Sequence, residues 1–540
     1  MYFNKTSYYD GAPGVTQCGI PEGQSLSYHI PVDSQWGSYW WHSHVGAQYV
    51  DGLRAPFIIH HPNETYAYDG DYTLVVSDWY HDQHSKLLKE FANVYNPTGA
   101  EPVPNSAAIY AMNSTTGEYL SGFNENVTIP FEAGKTYRLR VINTSAFAAF
   151  FVWLDGHDMK VIEVDGTDVD EFPVDFLSIA VAQRYSVLIT AKNTTDSNFL
   201  LHANYDTVMF DTVPDGLQVN YTSTVSYGAS AVAAAETFDE FGRTPDQEMV
   251  PVEAIAQYGP ADTSIELGVY FDTFDNGINR AAFNNITYQS PEVPSIFTMM
   301  SMGNNSNDPA VYGQQTNAFV LEKDAIVDLM IVNWDANTHP FHLHGHKYQI
   351  VRVATDVASN DSVANPPHTE GAANPMRRDT IVVPAGGAVN IRFVADNPGA
   401  WIFHCHIEWH LEVGLAVVFM EAPTEAQETL TIPQEMYEHC ATDKTPSTGN
   451  AVGKNSTTNL SGQVLGPYPQ ILGWRPKGIG ALAGSILAAL FGMISVVWYA
   501  FVGGQLDEDE MEAEVDRELE KKKDGGLIRR NVKKAFAKKN

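Results

Sequence analysis

Between residues 1 and 425 the apolar positions fall in short runs rich in Val, Ile, Tyr, Phe and Thr, punctuated by Gly, Pro and Asn. YTLVVSDW, TYRLRVIN, YSVLIT, AIVDLMIVNW and AVNIRFVADNPGAWIFHCH are examples. Runs of this length between turn residues predict strands of antiparallel sandwiches, and long amphipathic helical periods are scarce. Two segments echo one another: GKTYRLRVINTSAF at 134–147 and EKDAIVDLMIVNWDAN at 322–337. Each reads as a turn, then a strand that ends in an Asn-containing loop. The pattern therefore predicts an all-β chain of repeated β-sandwich domains.

The pattern changes near the C-terminus. No charged residue occurs from Gly478 to Leu506, and the core of that stretch reads IGALAGSILAALFGMISVVWYAF. An apolar run longer than about 20 residues spans a bilayer as a helix, so 478–502 is expected to be a single transmembrane helix. The polar stretch TPSTGNAVGKNSTTNLSG ahead of it predicts a glycosylated linker over 441–477, and 503–540 reads as a cytoplasmic tail.

Charge sharpens this division. The 540 residues carry 32 Lys+Arg against 65 Asp+Glu, a formal net charge of −33. The tail holds as many acids as bases, so the whole excess lies ahead of the membrane helix. Such acidity argues against a nucleic-acid partner and suits cations as ligands or substrates. All N-x-[ST] sequons, from Asn4 through Asn143 to Asn455 and Asn459, also lie ahead of the helix. That one-sided distribution predicts a type I orientation with the N-terminal part in a secretory lumen. A signal peptide is then required, and Met1-Tyr-Phe-Asn-Lys is not one, so an upstream segment is expected.

Histidine concentrates in three segments: Trp41-His42-Ser43-His44, His339-Pro-Phe-His342-Leu-His344-Gly-His346, and His404-Cys405-His406-Ile-Glu408-Trp-His410. Alternate residues of a strand share a face, so His404 and His406 project together and Cys405 points the other way. One short segment can thus serve two metal sites. A thiolate with imidazoles suits a His₂Cys copper centre of the electron-transfer kind, and paired imidazoles without thiolate suit oxygen-binding copper. Zinc is the alternative, although these spacings match no closed zinc site.

HPFHLHGH, HCHIEWH and WHSH together resemble the multicopper oxidases over residues 1 to about 440. The resemblance implies three cupredoxin-like β-sandwich domains: the C-terminal part of the first at 1–62, the second at 63–245 and the third at 246–440. It implies four coppers in an intact protein. His339, Cys405 and His410 would hold type 1 copper, with Leu415 at a non-bonding axial position that favours the reduced metal. His342 would bind type 2 copper, and His42, His44, His344, His404 and His406 the type 3 pair. Asp10 and Glu408 match residues that deliver protons to the oxygen-reducing cluster; the structural alternatives are a turn before Gly11 for Asp10 and, for Glu408, a hydrogen bond that orients a neighbouring metal-binding side chain. The family's first HxHG motif has no counterpart here. By spacing it would fall just before Met1, so the first domain is expected to be truncated in this sequence; a shortened paralogue unable to reduce oxygen is the rival explanation. With Cys405 given to copper by the resemblance, Cys18 and Cys440 are left for one possible bridge, consistent with an oxidising compartment.

The copper motifs are shared by laccases, ascorbate oxidases and ferroxidases. Two features resemble the fungal iron-transport ferroxidases: the single C-terminal membrane helix, and acids at positions that family uses for iron. WLDGHDM places Asp155 at one such position, where relatives more often have Glu; TVMFD supplies Asp211 and NWDANTHP supplies Asp335. Hard oxygen ligands favour Fe³⁺ over Fe²⁺ and so ease electron transfer. The reading is a copper ferroxidase taking Fe²⁺ and O₂, partnered by an iron permease at the plasma membrane, or at a vacuolar one. A laccase-like phenol oxidase and a redox-inactive permease subunit are the alternatives.

Overall fold

The computed structural model describes residues 1–469, 476–501 and 508–536, with side chains given as far as 523. It divides into two compact units, Met1–Gln470 and Ile471–Asn540.

The first unit is built from paired β-sheets. A six-stranded sheet contains Gly70–Val76, Thr136–Asn143 and Arg184–Thr190, and it packs on a second sheet through Ala149–Leu154 and Ser197–Asp206. Their facing residues, among them Leu74, Val141, Phe150, Val152, Val187 and Leu201, are buried in one core. A second pair repeats the arrangement. Its six-stranded sheet holds Thr263–Thr273, Ile326–Asn333 and Ala388–Val394; its five-stranded sheet holds Ala318–Leu321, Ala416–Glu421, Gly399–Cys405, His339–Leu343 and Thr380–Val383 in that spatial order. The echo between 134–147 and 322–337 is real at the structural level. Thr136–Asn143 and Ile326–Asn333 each sit inside a six-stranded sheet, with one parallel neighbour and one antiparallel.

Ahead of these sandwiches lies a two-stranded hairpin, Gly37–His42 with Arg54–Ile59. Residues 1–20 pack instead on the last sheet, where Phe3, Tyr9 and Val15 join Trp401, Ile402 and Met420 in a separate buried cluster. Cys18 and Cys440 form a disulfide with Cα atoms 5.3 Å apart, tying this segment to the helix Gln434–Thr442.

Two expectations need correction. Residues 441–469 are not a free tether. Asn450 is fully buried and donates its side-chain amide to the carbonyls of Ser456 and Asn459, while the Ala451 N–H donates to Val311. Further along, the Asp275 N–H donates to the carbonyl of Tyr468, and the Tyr468 N–H donates to the Asp275 carboxylate. These internal partners let a polar sequence dock rather than float. Residues 470–475 of the expected linker lie outside the described residues. The sequon at Asn143 is likewise closed to glycan in the folded state, because its amide is fully buried and donates to the carbonyls of Ala148 and Ile179.

In the second unit, Pro476–Phe501 is one helix, long and apolar enough to cross a membrane. It starts two residues before the expected 478, with proline in the first turn, where its missing N–H costs nothing. The stretch read as a tail forms a further helix, Glu508–Phe536.

Candidate metal centres

The strand Gly399–Cys405 carries the chemistry because it is central and buried along its whole length. His339–Leu343 lies on one side, with His342 opposite His404 and Phe341 opposite Cys405; Ala416–Glu421 lies on the other. The pleat turns neighbouring side chains to opposite faces, and this register sorts the histidines into two groups.

Cys405 Sγ lies 3.5 Å from His410 Nδ1 and 3.9 Å from His339 Nδ1, and those two nitrogens are 3.2 Å apart. All three residues are buried. The outer nitrogen of each ring faces a carboxylate: His339 Nε2 donates to Asp335 at 3.2 Å and His410 Nε2 donates to Glu101 at 2.8 Å. A carboxylate acceptor fixes the proton on Nε2 and turns both Nδ1 lone pairs inward. Two lone pairs and a sulfur crowded together without a proton between them are favourable only around a cation. Burial raises the Cys405 thiol pKa far above its usual value and lowers that of His339, so the imidazole is neutral and the thiolate needs a metal. Leu415 is fully buried beside the group; its carbonyl accepts from Cys405 and its N–H donates to His410. The turn that presents it needs Gly414 at φ 107°, where a Cβ would meet Thr287 Oγ1 at 2.0 Å.

The second group gathers His42, His44, His342, His344, His404 and His406. Ring centroids of His42 and His406 are 5.2 Å apart, those of His44 and His404 5.2 Å, and those of His342 and His344 4.9 Å. Four of the rings spend Nδ1–H on oxygen acceptors. His42 donates to the carbonyl of Ser43, His404 to that of Cys405, His342 to that of Asp379, and His344 to the carboxylate of Asp10 at 2.7 Å. Their Nε2 lone pairs therefore face inward, and those of His344 and His404 meet at 3.2 Å. His44 Nε2 and His406 Nδ1 are buried with no hydrogen-bond partner. Orphaned buried nitrogens cost about 1–3 kcal/mol each; here they complete a ring of donors that a metal would satisfy. Burial holds His42, His404 and His406 well below the usual imidazole range and brings His44 to about 3. Those four imidazoles are thereby held neutral at physiological pH. The donor sets thus fit copper at both places, one with sulfur and one all-imidazole.

The predicted acids divide. Asp335 is where expected, and its carboxyl is held below the usual range, because the hydrogen bond and charge of His339 outweigh the upward push of burial. Asp211 is exposed, two residues from Met209, whose sulfur accepts from Thr338 beside His339 at 3.8 Å. Asp155 is misplaced by the sequence reading. It is 1% exposed and accepts from His202 Nε2 at 3.0 Å and from the N–H of Glu236. It also ends a strand whose other end, at Ala149, pairs with Asp206 next to the Met209 loop. Six extended residues span about 20 Å, so Asp155 is a buried hydrogen-bond partner of His202 at the strand end away from the Met209 loop.

Glu101, which occupies the position Asp155 was expected to fill, was missed. Its signal is the tight loop Asn96-Pro-Thr-Gly-Ala-Glu-Pro, in which Asn96 accepts from the N–H of Ala100 and donates to its carbonyl. Nothing local to that loop announces a partner 309 residues away. Asp10 accepts from His344 Nδ1 and so orients that ring. Glu408 is buried in the helix Glu408–Glu412, and burial together with Glu412 pushes its carboxyl well above the usual range.

Tandem β-sandwiches that gather a His₂Cys group and a six-imidazole group around one buried strand define a copper-handling oxidase class, and the chain belongs to the multicopper oxidase family, whose sequence models match residues 1–64, 70–230 and 288–425. It is 48% identical over 526 residues to the iron multicopper oxidase fer1 of Mycosarcoma maydis, covering 94% of this chain and 84% of that protein. It is 38% identical to the iron transport multicopper oxidase FET3 of Saccharomyces cerevisiae, over 96% and 81%. Among solved structures it resembles that of Fet3p, described as a multicopper oxidase that functions in iron import, with TM-score 0.79 and 37% identity over 87% of this chain and 88% of that one. A laccase from Botrytis aclada is similar at TM-score 0.68 and 27% identity, covering 82% and 80%.

Proposed function

We propose that this protein is a membrane-anchored ferroxidase: it takes electrons from Fe²⁺ at the Cys405 group and delivers them to O₂ at the six-imidazole group. The observation that carries this is the pair of carboxylates, Glu101 and Asp335, each bonded to the outer nitrogen of an imidazole that faces Cys405. A cation bound by these two acids would sit one imidazole away from the electron acceptor, and hard oxygen donors stabilise Fe³⁺ over Fe²⁺. Exposed Asp211 offers an acid on the way out for the product.

His339, Cys405 and His410 would hold type 1 copper, with the apolar Leu415 beside them offering no further donor; His342 would hold type 2, and His42, His44, His344, His404 and His406 the type 3 pair. When bound, copper accepts single electrons at the first site and provides the place of O₂ reduction at the second. The remaining work falls to the protein. Four Fe²⁺, one O₂ and four protons give four Fe³⁺ and two waters. Burial and the neighbouring Glu412 push the Glu408 carboxyl well above the usual range and so favour its protonated form, which suits a proton donor, while Asp10 fixes the tautomer of His344. The apolar helix Pro476–Phe501 anchors the sandwiches on the outer face of the plasma membrane, beside an iron permease that takes the Fe³⁺.

Steady-state turnover of copper-loaded protein with Fe²⁺ and with a hydroquinone tests this. Preference for Fe²⁺ that disappears in Glu101→Ala and Asp335→Ala is expected; equal efficiency on both reductants, indifferent to those acids, would establish the laccase-like alternative.

A further inference from the structure

Glu101 stands on a loop, and loops move unless something fixes them. Three sets of bonds fix this one. Asn96 closes it from within, donating to the carbonyls of Phe91 and Ala100. Thr273, on the neighbouring sandwich, donates its hydroxyl to the carbonyl of Pro97 at 2.9 Å. The third lies next to Glu101 itself: Tyr80 donates its hydroxyl to the carbonyl of Pro102 at 3.0 Å.

Tyr80 does more than satisfy that carbonyl. Its oxygen also accepts from Trp409 Nε1 at 3.3 Å, and the two rings meet edge to face with centroids 5.5 Å apart. Trp409 is fully buried and precedes His410 in the chain. The contacts close a circuit. His410 donates to Glu101; the next residue, Pro102, accepts from Tyr80; Tyr80 accepts from Trp409; and Trp409 returns through one peptide to His410. Tyr80 is itself rigidly set, because it follows the ladder that pairs Asp78 with Ala107 and Trp79 with Ser106.

We propose that Tyr80 is a positioning residue for iron oxidation, its hydroxyl locking the Glu101 carboxylate to the His410 edge. This rests on the reading of Glu101 as an iron-binding acid. A buried aromatic with a satisfied hydroxyl is commonly no more than core. The two roles separate, because Tyr80→Phe keeps the ring and its packing and removes only the oxygen that joins Trp409 to Pro102. Packing alone predicts no selectivity between reductants. The circuit predicts that Fe²⁺, which must be held by Glu101, suffers and that a hydroquinone, which needs no carboxylate, does not.

The test uses full-length, copper-loaded protein in detergent, comparing wild type, Tyr80→Phe and Glu101→Ala. Tyr80→Phe is expected to lower kcat/KM for Fe²⁺ about tenfold, mainly through KM, while kcat/KM for hydroquinone changes less than twofold. Its type 1 visible and electron paramagnetic resonance spectra are expected to shift slightly as His410 loses a fixed partner, with copper content unchanged. Equal losses on both reductants, or none on either, in Tyr80→Phe would overturn the proposal so long as Glu101→Ala loses Fe²⁺ oxidation selectively. If Glu101→Ala itself is indifferent to reductant, the iron reading falls and the role of Tyr80 falls with it.

Discussion

His404 donates its Nδ1 proton to the carbonyl oxygen of Cys405 at 2.8 Å. The residue facing one metal centre is thus hydrogen-bonded to the backbone of the residue facing the other. That bond fixes the tautomer of His404 and adds a short connection parallel to the chain between the two donor sets. Replacing Cys405 by Ser removes the sulfur and leaves this backbone bond and all six imidazoles in place. The expected variant has about one copper fewer per chain, no intense blue absorption and no Fe²⁺ oxidation, yet keeps the paramagnetic signal of the type 2 metal. Loss of copper from both centres would contradict their independence as donor sets.

Glu101 and Asp335 are expected to dominate selectivity for iron, and Asp155 to have no part in it. Removing a carboxylate from the outer nitrogen of a metal-ligating imidazole costs on the order of 10–100-fold in affinity or activity, so Glu101→Ala and Asp335→Ala should each lose that much kcat/KM for Fe²⁺. Asp155→Ala should keep its preference for Fe²⁺ and lose stability instead, because His202 is left without its buried partner. Thermal unfolding and two-substrate kinetics on the three variants separate these outcomes. A selective loss of iron oxidation in Asp155→Ala would reverse the assignment.

The contrast among these three acids shows what a sequence can and cannot disclose. The histidines were legible because a strand's two-residue period decides which side chains share a face, and Asp335 because it lies four residues before His339. Sandwich repetition was legible for the same local reason. Glu101 was not, because it meets His410 only through the packing of a loop from one sandwich on the edge of the next. Asp155 misled because a motif places a residue in a strand without saying which end of the strand faces the metal. The docking of 441–469 was hidden for another reason: its polar side chains find partners in one another, and composition alone reads as solvent-exposed tether.

The Cys18–Cys440 disulfide closes a loop of 422 residues and pins the segment that carries Asp10. Cross-links over long loops typically contribute about 2–5 kcal/mol by restricting the unfolded chain. The double variant Cys18→Ser with Cys440→Ser is expected to unfold at lower denaturant by that order. It should also lose activity in step with the freedom gained by Asp10, since His344 then loses the acceptor that orients it. Unchanged stability alongside unchanged oxygen reduction would mean that the apolar packing of Phe3, Tyr9 and Val15 alone holds the segment.

Glu163 is expected to make the protein acid-sensitive at the hairpin that carries His42. Its carboxylate is fully buried and accepts from the Ser38 N–H at 2.7 Å, the Gly166 N–H at 3.0 Å, Arg138 at 2.6 Å and the hydroxyls of Ser38 and Ser186. Burial pushes its pKa up, but the charges of Arg138 and Arg140 and these hydrogen bonds outweigh it and bring the value from 4.5 to about 2. A group depressed on folding contributes stability that is complete above its unfolded pKa and is lost as pH falls through the folded one. The window here runs from about pH 4.5 down to about 2, and the contribution is at most about 3 kcal/mol. Ser38 lies four residues before His42 on the same strand, so losing the anchor loosens one wall of the six-imidazole group. Glu163→Gln should be destabilised at pH 6, where Arg138 is left with a buried, partly unpaired charge. Between pH 6 and pH 3 it should then lose less further stability than wild type does. Urea midpoints for both proteins at the two pH values measure this directly, and parallel acid losses in the two proteins would remove Glu163 as the origin of the sensitivity.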